Sequence, residues 1–448
     1  ESEKANLATL QEKIDSATKQ ESQRLEAKIL ESEKANLATL QEKIDSATEQ
    51  YSQRLEVKNK LVINKPKFDF YGAESILRLT PISPQTVTIG ENILQKQVRI
   101  FPKLEDVQIS TFDELWELPF STAQSTYSLY LYALYPVSYL LNAFEVTADV
   151  KYLYQARDLS ISFLVWESEE NKKISPKRNK ILFGDHATSN RTQALCYLVA
   201  CLNSIKDSLP TELIEKLKEY SLYLADDKNY SHYNHGLMMD LALLGLIATS
   251  KEANFSLEQT VESKLYERLH YSIDRDVTTD GVHVENSPGY HFWILSFLEK
   301  ITPVLCIINP ILYKKSKKIL HRVQIYANYI TKPDGSVPTI GDTHYGVNYS
   351  VTNGLPSKYF EASNQVIFRD STGSVWAQFS SGYKTHVHKH CDNGSFNLFF
   401  DGYDILIDPG FINYEDEGES KLIRKTSSHN TVRPLGQEQE IKVADLSN

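Results

Sequence analysis

The stretch SFNLFFDGYDILID, residues 395–408, predicts a β-hairpin. It contains two short runs of aromatic and β-branched residues, and the Asp401-Gly402 dipeptide between them is a strong turn signal. Two earlier runs, QVIFRD at 365–370 and VWAQFSS at 375–381, have the same strand character. The C-terminal part of the chain is therefore predicted to be antiparallel β-structure of about six strands.

The residues that precede these strands have helical periodicity. Apolar residues recur at helical spacing in the segments 127–144, 150–165, 192–205, 214–224, 237–247, 257–273, 291–301 and 312–330. Consecutive helices with short connections pack as antiparallel neighbours, so these segments predict either a solenoid or a closed α/α ring. No sequence repeat marks a solenoid here.

The order of helices and strands predicts a multidomain α+β fold. We divide the chain into an N-terminal arm (1–62), a connector of short apolar runs interrupted by prolines (63–120), a helical domain (121–345) and a β-domain (346–448). Since the chain stops at Asn448 after few strands, we expect the β-domain to be cut short.

The N-terminal arm is an internal repeat. Residues 1–30 and 31–60 are the same segment apart from five positions. Leu7, Leu10 and Ile14, echoed in the second copy, have the spacing of a coiled coil on a background of Glu, Lys and Gln. The period of 30 residues is two more than four heptads, so the seam slips once per repeat. We expect a coiled-coil helix that oligomerises or contacts a partner; the alternative is a single exposed helix.

Composition excludes several classes of protein. The net charge of -10 argues against a general nucleic-acid-binding role, and no apolar run approaches the roughly 18 residues of a membrane span. The four cysteines show no C-x-x-C pairing, which argues against a disulfide scaffold and against a cysteine zinc module. The sequence leaves the cellular compartment open, because the chain begins at Glu1 without Met or a signal peptide.

Three histidines stand on alternate positions in HVHKHCDNGSF, residues 386–396. In a strand His386, His388 and His390 would share one face with Asp392, as a row of ligands or acid–base groups. The alternative is a solvated outer face of the sheet.

A metal would need further ligands, and Asp408 and His429 offer an oxygen and a nitrogen that suit Zn²⁺. A simple hairpin places Asp408 about 20 Å from His390 along the strand. The cluster can form only if the chain bends near Asn393-Gly394.

Two polar motifs interrupt the helical half. In YNHGLMMDLALLGL, residues 233–246, Asn234 and His235 stand at a helix start, where free N–H groups can meet an anion. In DGVHVENSPGYHFWIL, residues 280–295, Pro288 opens a helix with Tyr290 in its first turn. The alternatives are an ordinary helix cap in the first motif and interfacial packing in the second.

Taken in order, NHG, DGVHVENSPGYH, DGSVPTIGD, HKHCDNGSF, IDPG and HNTV resemble the heparinase II/III-like polysaccharide lyases, whose relatives include alginate and other uronan lyases. The resemblance covers residues from about 120 to 440 and leaves out the arm. It implies an (α/α) toroid followed by an antiparallel β-sandwich. The implied chemistry is β-elimination of a uronic-acid polysaccharide.

The resemblance also implies roles for four catalytic residues. β-Elimination requires neutralising the uronate carboxylate, removing the C5 proton and protonating the departing O4. By resemblance, Asn234 and His235 contact the carboxylate, and Tyr290 donates the proton to O4. Tyr290 also serves as the base when both reacting bonds lie on one face of the sugar, and His388 is the base for the opposite epimer.

Three further residues are expected to contact substrate. Arg191, in HATSNRTQ, and His235 are candidates for lowering the pKa of the Tyr290 phenol, which is ordinarily about 10. Glu285 and Asn286 lie in the loop that the resemblance assigns to subsite recognition.

The resemblance implies a structural zinc ion held by His390, Asp408 and His429. The additional His386 and Cys391, which lies between His390 and Asp392, could each alter ligation, and this leaves open which histidine is the base and which is the ligand.

The implied partner is an anionic polysaccharide. The implied location is periplasmic or secreted, and a cytoplasmic role in capsule assembly is an alternative.

Two other functions remain compatible with the sequence. One is a glycoside hydrolase on an α/α ring, for which Asp280 and Glu285 could be the paired carboxylates. The other is a non-catalytic module that grips a glycan or protein and is assembled through the coiled coil.

Overall fold

The computed structural model describes residues 74–441, except residues 103, 122, 170–171, 232 and 413–417. The chain divides into two compact units, Glu1–Lys65 and Pro66–Asn448, and the description below concerns the second. The coiled coil predicted for residues 1–62 lies outside the described residues.

Helices dominate the described chain up to residue 330. They are α1 (Glu74–Leu77), α2 (Thr86–Leu94), α3 (Gln124–Tyr132), α4 (Tyr135–Thr147), α5 (Val150–Ser168), α6 (Pro176–Leu182), α7 (Asp185–Ser204), α8 (Thr211–Ala225), α9 (Tyr233–Glu252), α10 (Gln259–Arg275), α11 (Pro288–Ile308) and α12 (Pro310–Ile330). A two-stranded ribbon, β1 (Gln97–Val98) and β2 (Val107–Gln108), lies among the first of them. Helix α9 packs against α7, and α11 packs against α12.

One predicted helix is wrong in its extent, because residues 127–144 form parts of two helices. Helix α3 ends at Tyr132, and Leu134 adopts a left-handed backbone with φ of 61° before α4 begins. Pro136 stands in the first turn of α4, where its missing N–H breaks no helical hydrogen bond. The apolar periodicity continues across the break and therefore conceals it.

The region predicted as a connector contributes to the helical core. Ile76, Leu77 and Trp116 are fully buried in the same hydrophobic cluster as the long helices. The Trp116 indole donates a hydrogen bond to Ser162 Oγ at 3.0 Å. Burial of this order stabilises the fold by about 1.5–3 kcal/mol for each large apolar side chain.

The strands form one five-stranded antiparallel sheet in chain order: β3 (Lys358–Phe360), β4 (Gln365–Arg369), β5 (Val375–Ser380), β6 (Ser395–Phe400) and β7 (Tyr403–Leu406). The predicted turn at Asp401-Gly402 is confirmed, with φ of 48° and 87° at its two residues. Both values lie in the left-handed region that tight hairpins require. The described strands belong to this sheet and to the β1–β2 ribbon, so the predicted sandwich stays a prediction.

Helix α12 joins the sheet to the helices. Tyr326, Tyr329 and Ile330 of α12 pack with Phe360 and Trp376 of the sheet in a second buried cluster. The Trp376 indole donates to the Tyr329 carbonyl at 3.0 Å, a bond that orients the sheet on the end of this helix.

The loop that carries the three histidines contradicts the predicted strand. Residues 381–394 are irregular, with Gly394 at φ of 76° and the His388 backbone at φ of 54°. His386 is exposed whereas His390 is buried, so the alternate positions do not share one face. The strand period therefore does not apply to this segment.

Among the described helices, α11 has the length and apolar composition that could cross a membrane, and half of that window is buried in the protein. Its buried residues pack against α12 in the helical core. Burial of this kind is that of a core helix.

Candidate active site

The site is built where the loop 334–343 meets the start of α11. Thr343 Oγ1 lies 2.8 Å from Ser287 Oγ and accepts a hydrogen bond from the Gly289 N–H at 3.0 Å. These bonds fix the first turn of α11, which carries Tyr290, against the loop that contains Asp342.

A second loop is fastened to the same place by Asn286. Its Nδ2 donates to the carbonyls of Thr385 at 2.8 Å and Val387 at 2.9 Å. Gly341, at φ of 54°, permits this approach, because a Cβ there would lie 2.7 Å from the His388 carbonyl and 2.9 Å from that of Asn286. The Asn286 side chain therefore positions the histidine loop, a role distinct from the predicted contact with substrate.

Tyr290 and His388 meet as the sequence analysis predicted. Their rings stack with centroids 3.7 Å apart and planes 11° apart. Asp342 Oδ2 lies 2.6 Å from His388 Nδ1, and Glu285 Oε2 lies 3.5 Å from His388 Nε2. A phenol and an imidazole, both of which can transfer protons, thus share one site.

Glu285 is buried beside His388, with 1% of its surface exposed. No hydrogen bond of standard geometry from the described residues reaches either carboxylate oxygen. Burial raises the pKa of Glu285 to about 7, and the nearby His388 offsets the shift only partly. A carboxyl of this kind can exchange a proton near neutral pH.

Asn234 and His235 lie in the first turn of α9, one turn earlier than the apolar periodicity predicted. His235 Nδ1 contacts Asp185 Oδ2 at 3.0 Å, and this hydrogen bond raises the pKa of His235 above its usual value. The charge of Glu285 also raises the pKa of His235. The backbone amide of Asn234 in turn lowers the pKa of Glu285, although burial outweighs this effect. Glu285 therefore links the first turn of α9 to the Tyr290–His388 pair.

The residues around His235 set its charge. Burial would raise the pKa of Asp185, but hydrogen bonds from His235 and Ser231 outweigh it and hold the pKa well below its usual range. The neighbouring His186 is half-buried, and its desolvation lowers its pKa to about 4 and keeps it neutral. His235, whose cationic form Asp185 favours, is suited to binding a carboxylate beside a neutral His186.

The predicted metal ligands His390, Asp408 and His429 come together and are buried, with ligand atoms within 4.8 Å of one another. Gly394 provides the predicted bend, so that β6 starts after the chain has turned from His390. His429 Nδ1 contacts Asp408 Oδ2 at 2.7 Å.

The donor set fits a metal ion. His390 Nδ1 and His429 Nε2 are buried and have no hydrogen-bond partner among the described residues. Two such imidazole nitrogens beside a carboxylate match the ligands that Zn²⁺ takes in proteins. Within the described part of the chain, Cys391 and His386 are not members of this cluster.

The structure places Arg191 in the helical core. Its guanidinium is buried, forms an ion pair with Glu167 at 3.0 Å, and donates to Thr188 Oγ1 and the Leu182 carbonyl. It also lies over the Tyr220 ring at 4.8 Å. With these partners inside the core, Arg191 stabilises the helices, and its predicted contact with substrate stays a prediction.

Two residues of the site were missed by sequence reasoning. Asp342 ends DGSVPTIGD, a motif used only for its place in the ordered set, and Asp185 directly precedes HATSNRTQ. Helix and strand periodicity does not single out an acidic residue that lies at the edge of a motif, so neither aspartate was identified. Pairing each candidate histidine with an acid in a neighbouring motif would have been the way to find them.

Residues 352–445 match the family model described as the heparinase II/III-like C-terminal domain. The predicted resemblance to the heparinase II/III-like lyases is confirmed. A heparin-sulfate lyase of Bacteroides stercoris is 27% identical over 201 residues, which are 37% of this chain and 30% of that protein.

Solved structures of heparinase-type lyases share the fold. A heparan sulfate lyase of Pedobacter heparinus superposes with a TM-score of 0.58 at 18% identity, covering 81% of this chain and 62% of that chain. A heparinase III structure superposes with a TM-score of 0.60 at 16% identity, covering 85% and 66%. The helix-rich part followed by a C-terminal antiparallel sheet is thus the fold of these lyases, and the chain spans less than two thirds of their length.

Proposed function

We propose that this chain acts as a polysaccharide lyase that cleaves a uronic-acid polysaccharide of the glycosaminoglycan class by β-elimination. The single observation that carries the proposal is the stacking of Tyr290 on His388, with Glu285 connecting the pair to Asn234 and His235. The names of the similar proteins support the substrate class.

The roles follow from the charges of the groups. His235, whose pKa the hydrogen bond to Asp185 raises, and the Asn234 amide bind the uronate carboxylate and so stabilise the negative charge that develops when the C5 proton leaves. When His388 is the base, it accepts the C5 proton and Tyr290 gives its phenolic proton to the departing O4. For the opposite epimer, Tyr290 acts as a phenolate that accepts the C5 proton and passes that proton to O4. The C4–O4 bond breaks as the C4–C5 double bond forms.

Zinc bound by His390, Asp408 and His429 would supply structural support to the loop that carries His388. The residues themselves join three segments of chain: the histidine loop, the end of β7 and the segment after residue 425. We further propose that the helices close into an (α/α) toroid, that the sheet belongs to a β-sandwich, and that the N-terminal arm forms a coiled coil through which the protein oligomerises.

The glycoside hydrolase is the less favoured function. Asp280 accepts hydrogen bonds from Thr278 Oγ1 and from the Ser363 N–H, so it ties a turn to the sheet domain. One of the two carboxylates that a hydrolase needs is therefore committed to structure.

The test is an assay of the 448-residue chain on glucuronate-, iduronate- and mannuronate-containing polysaccharides. A lyase yields the 4,5-unsaturated uronate, which absorbs in the ultraviolet. New reducing ends without this absorbance would identify a hydrolase, and binding without cleavage would identify a binding module. Either outcome would overturn the proposal.

A further inference from the structure

The carboxylate of Asp342 touches both the catalytic pair and the metal cluster. Its Oδ2 lies 2.6 Å from His388 Nδ1, and its Oδ1 lies 2.9 Å from His390 Nε2. The side chain is buried, and the opposite nitrogen of His390, Nδ1, has no partner among the described residues of the cluster. We propose that Asp342 is a positioning residue through which occupancy of the metal cluster sets the orientation of His388. This inference rests on the proposed function.

The hydrogen bonds of Asp342 explain how metal binding at His390 would set the tautomer of His388. When a metal binds His390 Nδ1, the proton of that ring must reside on Nε2, which then donates to Asp342 Oδ1. The other oxygen accepts from His388 Nδ1–H, which leaves the lone pair of Nε2 available as a base. One carboxylate therefore fixes the tautomer of two histidines.

Without the metal, His390 can carry its proton on either nitrogen. The Oδ1 of Asp342 then loses its obligatory donor, and the carboxylate can shift relative to His388. The His388 backbone lies in the left-handed region, a strained conformation that its surroundings must hold in place.

The experiment compares Asp342→Asn and Asp342→Ala with Asp334→Asn. Asp334 lies in the same loop and accepts hydrogen bonds from Ser336, so it controls for a lost carboxylate in that loop. Zinc affinity and kcat are measured for each protein, with and without a chelator. We expect Asp342→Asn to lower zinc affinity by about 10–100-fold, the usual effect of losing a partner of a metal-bound histidine.

The decisive comparison is between metal removal and substitution. Chelation should lower kcat of the wild-type protein but leave the residual kcat of Asp342→Ala unchanged within about twofold, because both changes break the same link. Losses of kcat from chelation and from Asp342→Ala that multiply would overturn the inference. A zinc affinity of Asp342→Asn equal to that of the wild-type protein would overturn it as well. Asp334→Asn should behave as wild type in both measurements.

Failure of the lyase proposal can be told apart from failure of this inference. If the wild-type protein forms no unsaturated product, the proposed function fails, while zinc affinity still decides whether Asp342 supports the metal. ¹⁵N shifts of the histidine rings report the His388 and His390 tautomers without turnover. Should Asp342→Asn not fold, Asp342→Glu replaces it, because this variant keeps the charge but displaces it by one methylene. Its zinc affinity and kcat are measured and interpreted as for Asp342→Asn.

A second inference comes from the outer face of α12. This 21-residue helix contains four lysines, Arg322 and no acidic residue, in a chain of net charge -10. Lys314, Lys317, Lys318 and His321 are exposed at the three-and-four spacing of one helix face. The opposite face is formed by the buried residues Leu312, Ser316, Ile319 and Val323.

We call Lys314, Lys317 and Lys318 the lysine stripe of α12. These three lysines form no ion pair with the part of the chain that the structure describes. Some lysines elsewhere do form such pairs: Lys151 pairs with Glu91, Lys251 with Glu262, and the partly buried Lys264 with Asp227 and Glu267. Like charges on successive turns repel one another, and a polyanion relieves that repulsion. We infer that this face binds a stretch of acidic polysaccharide outside the site of cleavage.

The test uses two triple variants with the same change in net charge. Lys314→Gln/Lys317→Gln/Lys318→Gln removes the stripe, and Lys151→Gln/Lys251→Gln/Lys264→Gln removes paired lysines. Retention on immobilised heparan sulfate is measured as a function of salt, together with KM on heparan sulfate chains and on a tetrasaccharide prepared from them.

The stripe variant should elute at lower salt, because each lost lysine weakens the electrostatic, salt-dependent part of the binding free energy. Its KM should rise about 3–10-fold on heparan sulfate chains and stay unchanged on the tetrasaccharide. The paired-lysine variant should behave as wild type. Equal effects of the two variants, or loss of binding to vesicles of anionic phospholipid with unchanged retention on heparan sulfate, would overturn the inference. Retention needs no turnover, so it remains informative if the lyase proposal fails.

Discussion

At the scale of single residues, the charge of His235 depends on Asp185. The hydrogen bond between them raises the pKa of His235, so the imidazolium that we propose binds the uronate persists to higher pH than in an unpaired histidine. We predict that Asp185→Asn moves the alkaline limb of the kcat/KM profile to lower pH. The measurement is the pH dependence of kcat/KM for both proteins, and coincident limbs would contradict the assigned role of His235.

Glu285 gives a prediction about stability. Its folded pKa of about 7 is higher than that of an unfolded glutamate, so the contribution of Glu285 to the free energy of unfolding is greatest at low pH and is lost as pH rises through about 7. Glu285→Gln should therefore be more stable than wild type at pH 8, on the order of 1–3 kcal/mol, and similar at a pH of about 4.5. Denaturant unfolding at both pH values checks this, and a difference independent of pH would count against a buried, proton-exchanging Glu285.

At the scale of elements, the site depends on the contact between the loop 334–343 and the histidine loop. Gly341→Ala places a methyl group against two carbonyls and should lower kcat more than about tenfold, with a loss of about 1–3 kcal/mol in stability. Gly346→Ala is the matched control, because Gly346 also has a positive φ but no described atom within 4 Å of the added Cβ. Equal loss of activity in the two variants would show that backbone strain alone is responsible.

The elements also show how far the sequence could lead. Turn chemistry predicted the hairpin at Asp401-Gly402, and the ordered motifs were enough to group Tyr290 with His388 and to group the three metal ligands with one another. Strand periodicity failed at residues 386–392, because a loop held by Asn286 and Gly341 has no period.

Contacts between distant segments could not be predicted from the sequence. Two partners of Arg191 come from α5 and α8, on either side of its own helix in the chain, so the residue type alone suggested a cation for substrate. Asp342 and Asp185 were missed for the same reason, since a helix or strand period says nothing about which loop lies opposite.

At the scale of the whole molecule, the metal cluster joins three segments of the C-terminal part. We predict that chelation lowers the melting temperature by about 3–8 °C, because a ligand that binds only the folded state stabilises it. His429→Ala should have the lower melting temperature already and show no further shift with the chelator. Differential scanning calorimetry checks both, and a chelator shift retained in His429→Ala would place the metal elsewhere.

The most direct test of the central claim is the rate at which Tyr290→Phe forms unsaturated uronate on a polysaccharide that the wild-type protein cleaves. The substitution keeps the ring that stacks on His388 and removes the hydroxyl. We predict a loss of about 10²–10⁴-fold in kcat, with substrate binding and melting temperature unchanged. A variant that retains wild-type kcat would contradict proton transfer by Tyr290, and with it the account of this site as a lyase centre.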